Sequence, residues 1–164
     1  VIALLLLSAA DPLASGVPVG KRPGPYSFLV ATGPERGRQT CFICDQAAKP
    51  ACVVFARTLT PELGALLAGL DAEAGRRTDG FKAWLTVLGD TDLDKLAKWA
   101  HEQGLKRVAV GGFARPAGPP AYALHPDAAV TALVFANERV TANVAAREWT
   151  AADTAAVLKA AAAR

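Results

Sequence analysis

The chain has 164 residues, 52% of them hydrophobic, and a formal net charge of +3. That length and apolar content argue against disorder and allow one domain with a core large enough to need no staples. The basic residues are scattered (Lys21, Arg22, Arg36, Arg38, Arg76, Arg77, Lys106, Arg107). No basic stripe is interleaved with aromatics, so a nucleic-acid partner is not expected.

The first residues, VIALLLLSAADPLASG, carry an apolar run from Val1 to Leu7 that is too short to span a bilayer. Ser8-Ala9-Ala10 supplies the small residues that signal peptidase needs, so residues 1–10 are expected to be part of a secretory signal peptide. With no initiator Met and no basic n-region, the sequence is expected to start inside that peptide; a buried first strand or helix is the alternative. Export to the periplasm or the extracellular space implies an oxidising compartment, where a close cysteine pair tends to be bridged. No stable membrane insertion is expected once the signal is removed.

Residues 11–25, rich in Pro, Gly and Ser, read as a linker, and residues 26–164 as the folded domain. Tyr26 to Thr32 is β-rich and predicts a strand. Gly33 to Gly37 is a turn, and Gln39 to Ile43 reads as its hairpin partner. Lys49-Pro50 leads into Ala51 to Ala56, apolar on both faces and suited to a central buried strand. Thr60-Pro61 opens a helix, with Thr as cap and Pro at the first helical position. Leu63, Leu66, Leu67, Leu70 and Ala74 then form one apolar face.

Phe81 to Leu88 is the next strand. Thr91 or Asp92 caps a second helix bearing Leu93, Leu96, Ala97 and Ala100, and Gly104 ends it. Val108 to Phe113 is a short strand, with Gly111-Gly112 and Pro119-Pro120 shaping loops. Ala129 to Phe135 and Arg139 to Val144 pair as a hairpin about Asn137-Glu138. Thr150 to Asp153 is a capping box for a last helix through Ala163. Strands alternating with helices predict an α/β domain with a central sheet covered on both faces, and the closing hairpin makes that sheet mixed. Trp84 and Trp99 are expected in or at the core, and Trp149 as a staple before the last helix.

The segments KPACVVFAR, TPELGALLAGLDAEA, FKAWLTVLGD with DLDKLAKWAHEQGL, and AVTALVFANERVTANVAA together resemble the thioredoxin-like superfamily. The branch is that of peroxiredoxins and exported thiol–disulfide reductases. The resemblance covers about Tyr26 to the C-terminus. The chain is also similar to uncharacterised exported bacterial thioredoxin-like proteins with a TGPxxGxxxCxxC stretch before the KP strand. The resemblance implies a thioredoxin-like fold, a mixed sheet with helices on both faces and an N-terminal β-hairpin extension, but no activity by itself.

The departures from that family are specific. Its nucleophilic cysteine sits at a strand-to-helix junction, which here reads Arg57-Thr58-Leu59-Thr60-Pro61-Glu62 and has no Cys. Its cis-proline position is Val130, before Thr131, where a trans bond is expected because a non-proline cis bond costs ~3 kcal/mol. Thr58, Thr60, Val130 and Thr131 therefore mark a vestigial site region, and the peroxiredoxin pattern PxxxTxxC fails as well. Arg57, Thr58 and Thr60 could hold an anion at the helix start, or serve as ordinary caps and surface groups.

The three cysteines are Cys41, Cys44 and Cys52. Cys41-Phe42-Ile43-Cys44 is a CxxC, and three readings of it stay open. It can be a redox pair, with Cys41 the more accessible attacker and a protein thiol or disulfide as partner. Arg36 and Arg38 are close in sequence and favour that reading. Against it, Asp45 should raise a neighbouring thiol, and the short gap to Lys49-Pro50 leaves no room for a useful helix. It can instead be a structural disulfide, Cys41–Cys44 or Cys44–Cys52, in a non-catalytic binding or structural domain. Cys52 then is a small buried hydrophobe. It can, last, join Cys52, His101 or His125 around a metal, although no second close pair is present and no metal is expected. With no Gly-rich phosphate loop, and with Asp45 where the haem-attachment motif CxxCH needs His, no cofactor is expected. Exposure separates the first two readings, because a working pair must be reachable by a partner sulfur.

Overall fold

The computed structural model describes residues 13–163; the expected signal peptide lies outside these described residues. The elements, in chain order, are β1 (Phe28–Val30), β2 (Gln39–Thr40), α1 (Phe42–Gln46), β3 (Ala51–Ala56), α2 (Pro61–Arg76), β4 (Lys82–Leu88) and α3 (Leu93–Glu102). They continue with β5 (Ala109–Phe113), a 3-10 turn (Pro120–Tyr122), β6 (Val130–Ala136), β7 (Arg139–Ala146) and α4 (Ala151–Ala162). One seven-stranded sheet runs β2-β1-β5-β4-β3-β6-β7. β3, β4 and β5 are parallel, whereas β6, β7, β1 and β2 join antiparallel, so the sheet is mixed.

Local signals explain most of these boundaries. Thr60 caps α2 by accepting from the Leu63 N–H, and Pro61 fills the first helical position. Asp92 caps α3 through the Lys95 N–H. Thr150 and Asp153 form the expected capping box on α4, and the buried Trp149 precedes it, its indole N–H donating to Thr154. Asn137 and Glu138 turn β6 into β7 with positive φ at both residues, 50° and 63°.

Helices lie on both faces, but unequally. Leu63, Leu66, Leu67 and Leu70 of α2, Leu96 and Ala100 of α3, and Val157 and Ala161 of α4 all pack on the Cys52–Val54–Ala56 side of β3. The strand order is the cause: β3, β4 and β5 step in one direction, and two right-handed crossovers in one direction put both helices on one face. The opposite face is an aromatic layer covered by the short α1 and by irregular chain. Phe28, Phe42, Phe55, Trp84, Tyr122 and Phe135 belong to it, with Tyr26 at its centre. The buried Tyr26 hydroxyl is bonded to the Thr86 hydroxyl at 2.8 Å and accepts from Trp84 Nε1 at 2.8 Å. Burial pushes its titration up despite those bonds.

The structure differs from the sequence reading in four places. Residues 13–25 look like a linker by composition but form a packed strap in this fold. Ser15 shares a 2.7 Å hydrogen bond with Thr131, and Asn143 Nδ2 donates to the Ser15 and Val17 carbonyls. Gly20 and Lys21 exchange backbone bonds with Val140 on the edge of β7. The hairpin return stops at Thr40, and residues 42–46 form a single helical turn instead. Gly111 and Gly112 lie inside β5, not in a loop. A Cβ on Gly111 would strike the Leu29 carbonyl and the Phe28 ring, and one on Gly112 would strike the Asp90 carbonyl. Last, the interior reaches past the sheet into that strap, through the buried Val17. No described helix is long and apolar enough to cross a membrane.

Candidate functional site

Cys41 and Cys44 form a disulfide, with their Cα atoms 5.3 Å apart. Cys41 is the N-cap of α1, and its sulfur accepts from the Cys44 N–H at 3.2 Å. The residues around the pair pin it to the domain. Phe42 is buried, with its ring edge-on to Phe28 at 5.2 Å and to Trp84 at 5.5 Å. Gln46 is buried too, and its side-chain amide donates to the carbonyls of Pro50 (2.9 Å) and Gly80 (3.1 Å). The Asn137 N–H donates to Ala48 at 3.0 Å, tying the following turn to the β6–β7 hairpin.

This anchoring decides which sulfur meets solvent. Phe42 and Gln46 are four apart and share one side of the helical turn. Cys44, two residues after Phe42, falls about 200° away on the other side. Cys44 is accordingly exposed and Cys41 half-buried. The sequence reading made Cys41 the more accessible; the structure reverses that order because Phe42 is a core residue.

The charges around the pair also differ from expectation. Arg36 is engaged with the Ala31 carbonyl and with Asp94, at 2.8 and 2.6 Å, and Arg38 with Glu35 at 3.4 Å. A cation that does stand over the CxxC is Lys82, whose Nζ lies 3.6 Å from the Phe42 ring centroid. Burial holds its amine below the ordinary lysine range, and Asp45 and Glu35 oppose that shift. Lys82 carries no sequence signal, because only the parallel register with Ala51 brings it to this end of the sheet. Beside Cys44 opens a cleft of about 260 Å³, lined by Arg22, Pro23, Pro25, Ile43, Phe135 and Glu138 among others.

The residues expected to mark a vestigial site lie at the other end of β3. Ala51, paired with Lys82 and Phe135, begins the strand; Ala56, paired with Val130, ends it, roughly 17 Å away. Thr58, Thr60 and Val130 line one cleft of about 240 Å³ with Glu62, Arg147 and Trp149. Thr60 is spent on its cap, and Thr58 is exposed. Thr131 is not part of that cleft: its hydroxyl points to the aromatic side and meets Ser15. No cis peptide bond occurs among the described residues, so the Ala129–Val130 bond, the one that would be cis with proline at 130, is trans as expected. Arg57 offers no free anion site. Its guanidinium donates to the carbonyls of Ala128, His125 and Pro116, clamping the loop that leads into β6.

Cys52 faces the helical side of the sheet and is fully buried, so it cannot bridge to Cys44. Burial pushes its thiol up to about 12. Below pH 9 the thiol is neutral in both the folded and the unfolded chain, and it costs nothing. Between pH 9 and 12 only the unfolded chain ionises, so the fold loses stability as pH rises. We expect the urea midpoint of the protein to fall over that window, and Cys52→Ala to flatten the fall. Iodoacetamide should leave Cys52 unlabelled in the native protein, and label it only with denaturant present. His101 is exposed on the last turn of α3, and His125 Nδ1 accepts from the Asp127 N–H at 3.0 Å. Among the described residues no group of three or more His, Cys, Asp or Glu side chains converges as a metal-ligand set.

No family profile and no curated protein matches this chain significantly. Solved structures do. A candidate protein disulfide isomerase from Bacteroides thetaiotaomicron superposes with a TM-score of 0.67 at 15% identity, over 90% of this chain and 91% of that one. A candidate thiol:disulfide interchange protein DsbE from Chlorobium tepidum gives 0.64 at 14% identity, over 91% and 96%. A thiol peroxidase from Chromobacterium violaceum gives 0.60 at 14% identity, over 90% and 87%. At such identities the likeness establishes architecture alone, and by architecture the chain is a thioredoxin-like α/β domain with an N-terminal β-hairpin extension.

Proposed function

We propose that this is an exported thioredoxin-like protein that exchanges thiols and disulfides through Cys41 and Cys44, at the end of the sheet opposite the family's usual site. The observation that carries the reading is a bridged CxxC whose Cys44 is exposed beside an open cleft. The apolar residues 1–7 and the bridged state support export. Thr58, Thr60, Val130 and Thr131 are remnants of the family site without a thiol of their own.

In the oxidising direction, a thiolate of a protein partner attacks Cys44 Sγ. A new sulfur–sulfur bond forms, the Cys41–Cys44 bond breaks, and Cys41 leaves with the electron pair. The Cys44 N–H that already points at Cys41 Sγ is placed to steady that thiolate. A second partner thiolate then attacks the partner's own sulfur and releases Cys44. The partner is oxidised by two electrons and the pair reduced by two; the reverse sequence reduces a partner disulfide.

The alternative, a structural bridge in a non-catalytic binding domain, is favoured by the anchoring of Phe42 and Gln46, because the bond then only fastens a turn already held. The reduction potential decides between them. Mass-resolved alkylation across glutathione redox buffers should give about −120 to −270 mV, the range of exchange catalysts. A potential below roughly −300 mV would mark a structural bridge and overturn the proposal.

A further inference from the structure

We infer that the cleft beside Cys44 binds the amino-acid headgroup of a low-molecular-weight thiol, and that such a thiol is a reactant of the Cys41–Cys44 pair. The inference rests on the exchange reading above and names a substrate class for that site.

The cleft, at about 260 Å³, lies just below the usual size of ligand pockets and suits a small headgroup better than a folded surface. Its apolar lining is Pro23, Pro25, Ile43, Ala47 and Phe135, and Cys44 lines it too. Its polar groups are one cation and one anion, Arg22 and Glu138, paired at 2.7 Å with side chains 68% and 43% exposed. A pair so exposed contributes little by itself and opens at small cost. An α-ammonium and α-carboxylate on one carbon match it, the carboxylate on the Arg22 fork and the ammonium on Glu138.

Glu138 supports this from a separate direction. It sits at φ 63°, a position of the turn that favours glycine. A glutamate there is held against its backbone preference, and it brings a carboxylate to the cleft. Ligand and sulfur chemistry then connect directly. The small thiolate attacks Cys44 Sγ, Cys41 departs as a thiolate, and a second small thiolate releases the dithiol. Two thiols become one disulfide, and the pair gains the two electrons.

The test uses the full chain, oxidised, with cysteine, glutathione, cysteamine and 3-mercaptopropionate, each adjusted to equal thiolate concentration. Acid-quenched mass spectrometry reads the rate of adduct formation. The two thiols with both charges should react about fivefold faster than the two with one, and Arg22→Ala and Glu138→Gln should each abolish the preference. Cysteine against glutathione then tells whether the headgroup sits next to the sulfur or one residue away. Glu138→Gly relieves the turn, so it should lose the preference with an unchanged or raised melting temperature. Equal rates for all four thiols, or a preference that survives in these variants, would overturn the inference while leaving exchange at Cys44 intact. No adduct with any thiol would remove both.

Discussion

A Cys41→Ser variant should accumulate mixed disulfides on Cys44, and a Cys44→Ser variant should form few. With a disulfide-bonded protein and a small disulfide as probes, we expect trapping through Cys44 to be about tenfold faster than through Cys41. The argument is geometric. Phe42 and Gln46 bury one side of the turn and leave Cys44 on the other, beside the cleft. Cys41 is half-buried, and its sulfur faces the Cys44 N–H. A partner sulfur approaching from solvent meets Cys44 first in either direction of exchange, so Cys41 is the resolving or leaving sulfur. Equal trapping in the two variants, or faster trapping by Cys44→Ser, would take Cys44 out of the contact role. An empty trap in both would remove the exchange reading itself.

Sequence alone points the opposite way, for a physical reason. Nothing local shows that Phe42 is a core residue, because its neighbours Phe28 and Trp84 come from β1 and β4. The spacing Phe42-x-x-x-Gln46 would suit a helical turn, but five residues are too few for a periodic signal. Arg36 and Arg38 look available by sequence distance; Asp94, which engages Arg36, lies on α3, far along the chain. Lys82 is invisible for the same reason. What was legible is the chemistry that does not depend on neighbours: the CxxC spacing, the burial of Cys52 in a run apolar on both faces, and the missing cysteine after β3.

The fold divides the same way. Thr60-Pro61, Asp92 and the Thr150–Asp153 box state their helix starts locally, and the structure honours each. The strap over residues 13–25 is illegible because Pro, Gly and Ser mean irregular backbone, not absence of packing. Its partners Thr131, Val140 and Asn143 are more than a hundred residues away. The gathering of α2 and α3 on one face follows from strand order, which no element announces by itself. A layer of large aromatic side chains takes the place of helices on the other face, and it is this layer that seats the CxxC.

The largest stability loss is expected from Asp71→Ala, a residue whose sequence gives no hint of the role. Asp71 lies on α2 next to Leu70 and is buried. Its Oδ1 accepts from three consecutive backbone N–H groups, those of Lys106, Arg107 and Val108, at 2.9, 2.6 and 2.8 Å. The Arg107 guanidinium stands 3.8 Å from the other oxygen. One carboxylate thus fixes the turn that delivers the chain from α3 into β5. Truncation leaves those donors without an acceptor at the base of a central parallel strand, and we expect a cost of about 3–5 kcal/mol in urea denaturation. Asp71→Asn keeps one oxygen but loses the charge, and should cost about half as much. A change below about 0.5 kcal/mol in Asp71→Ala would show that water replaces the carboxylate and that the turn holds without it. Because Asp71 belongs to the helical face and the disulfide to the aromatic one, the folded fraction of Asp71→Asn should react with thiols as the parent chain does. A slowed reaction there would mean that the seating of β5 against β1 also sets the position of Phe42, and through it the exposure of Cys44.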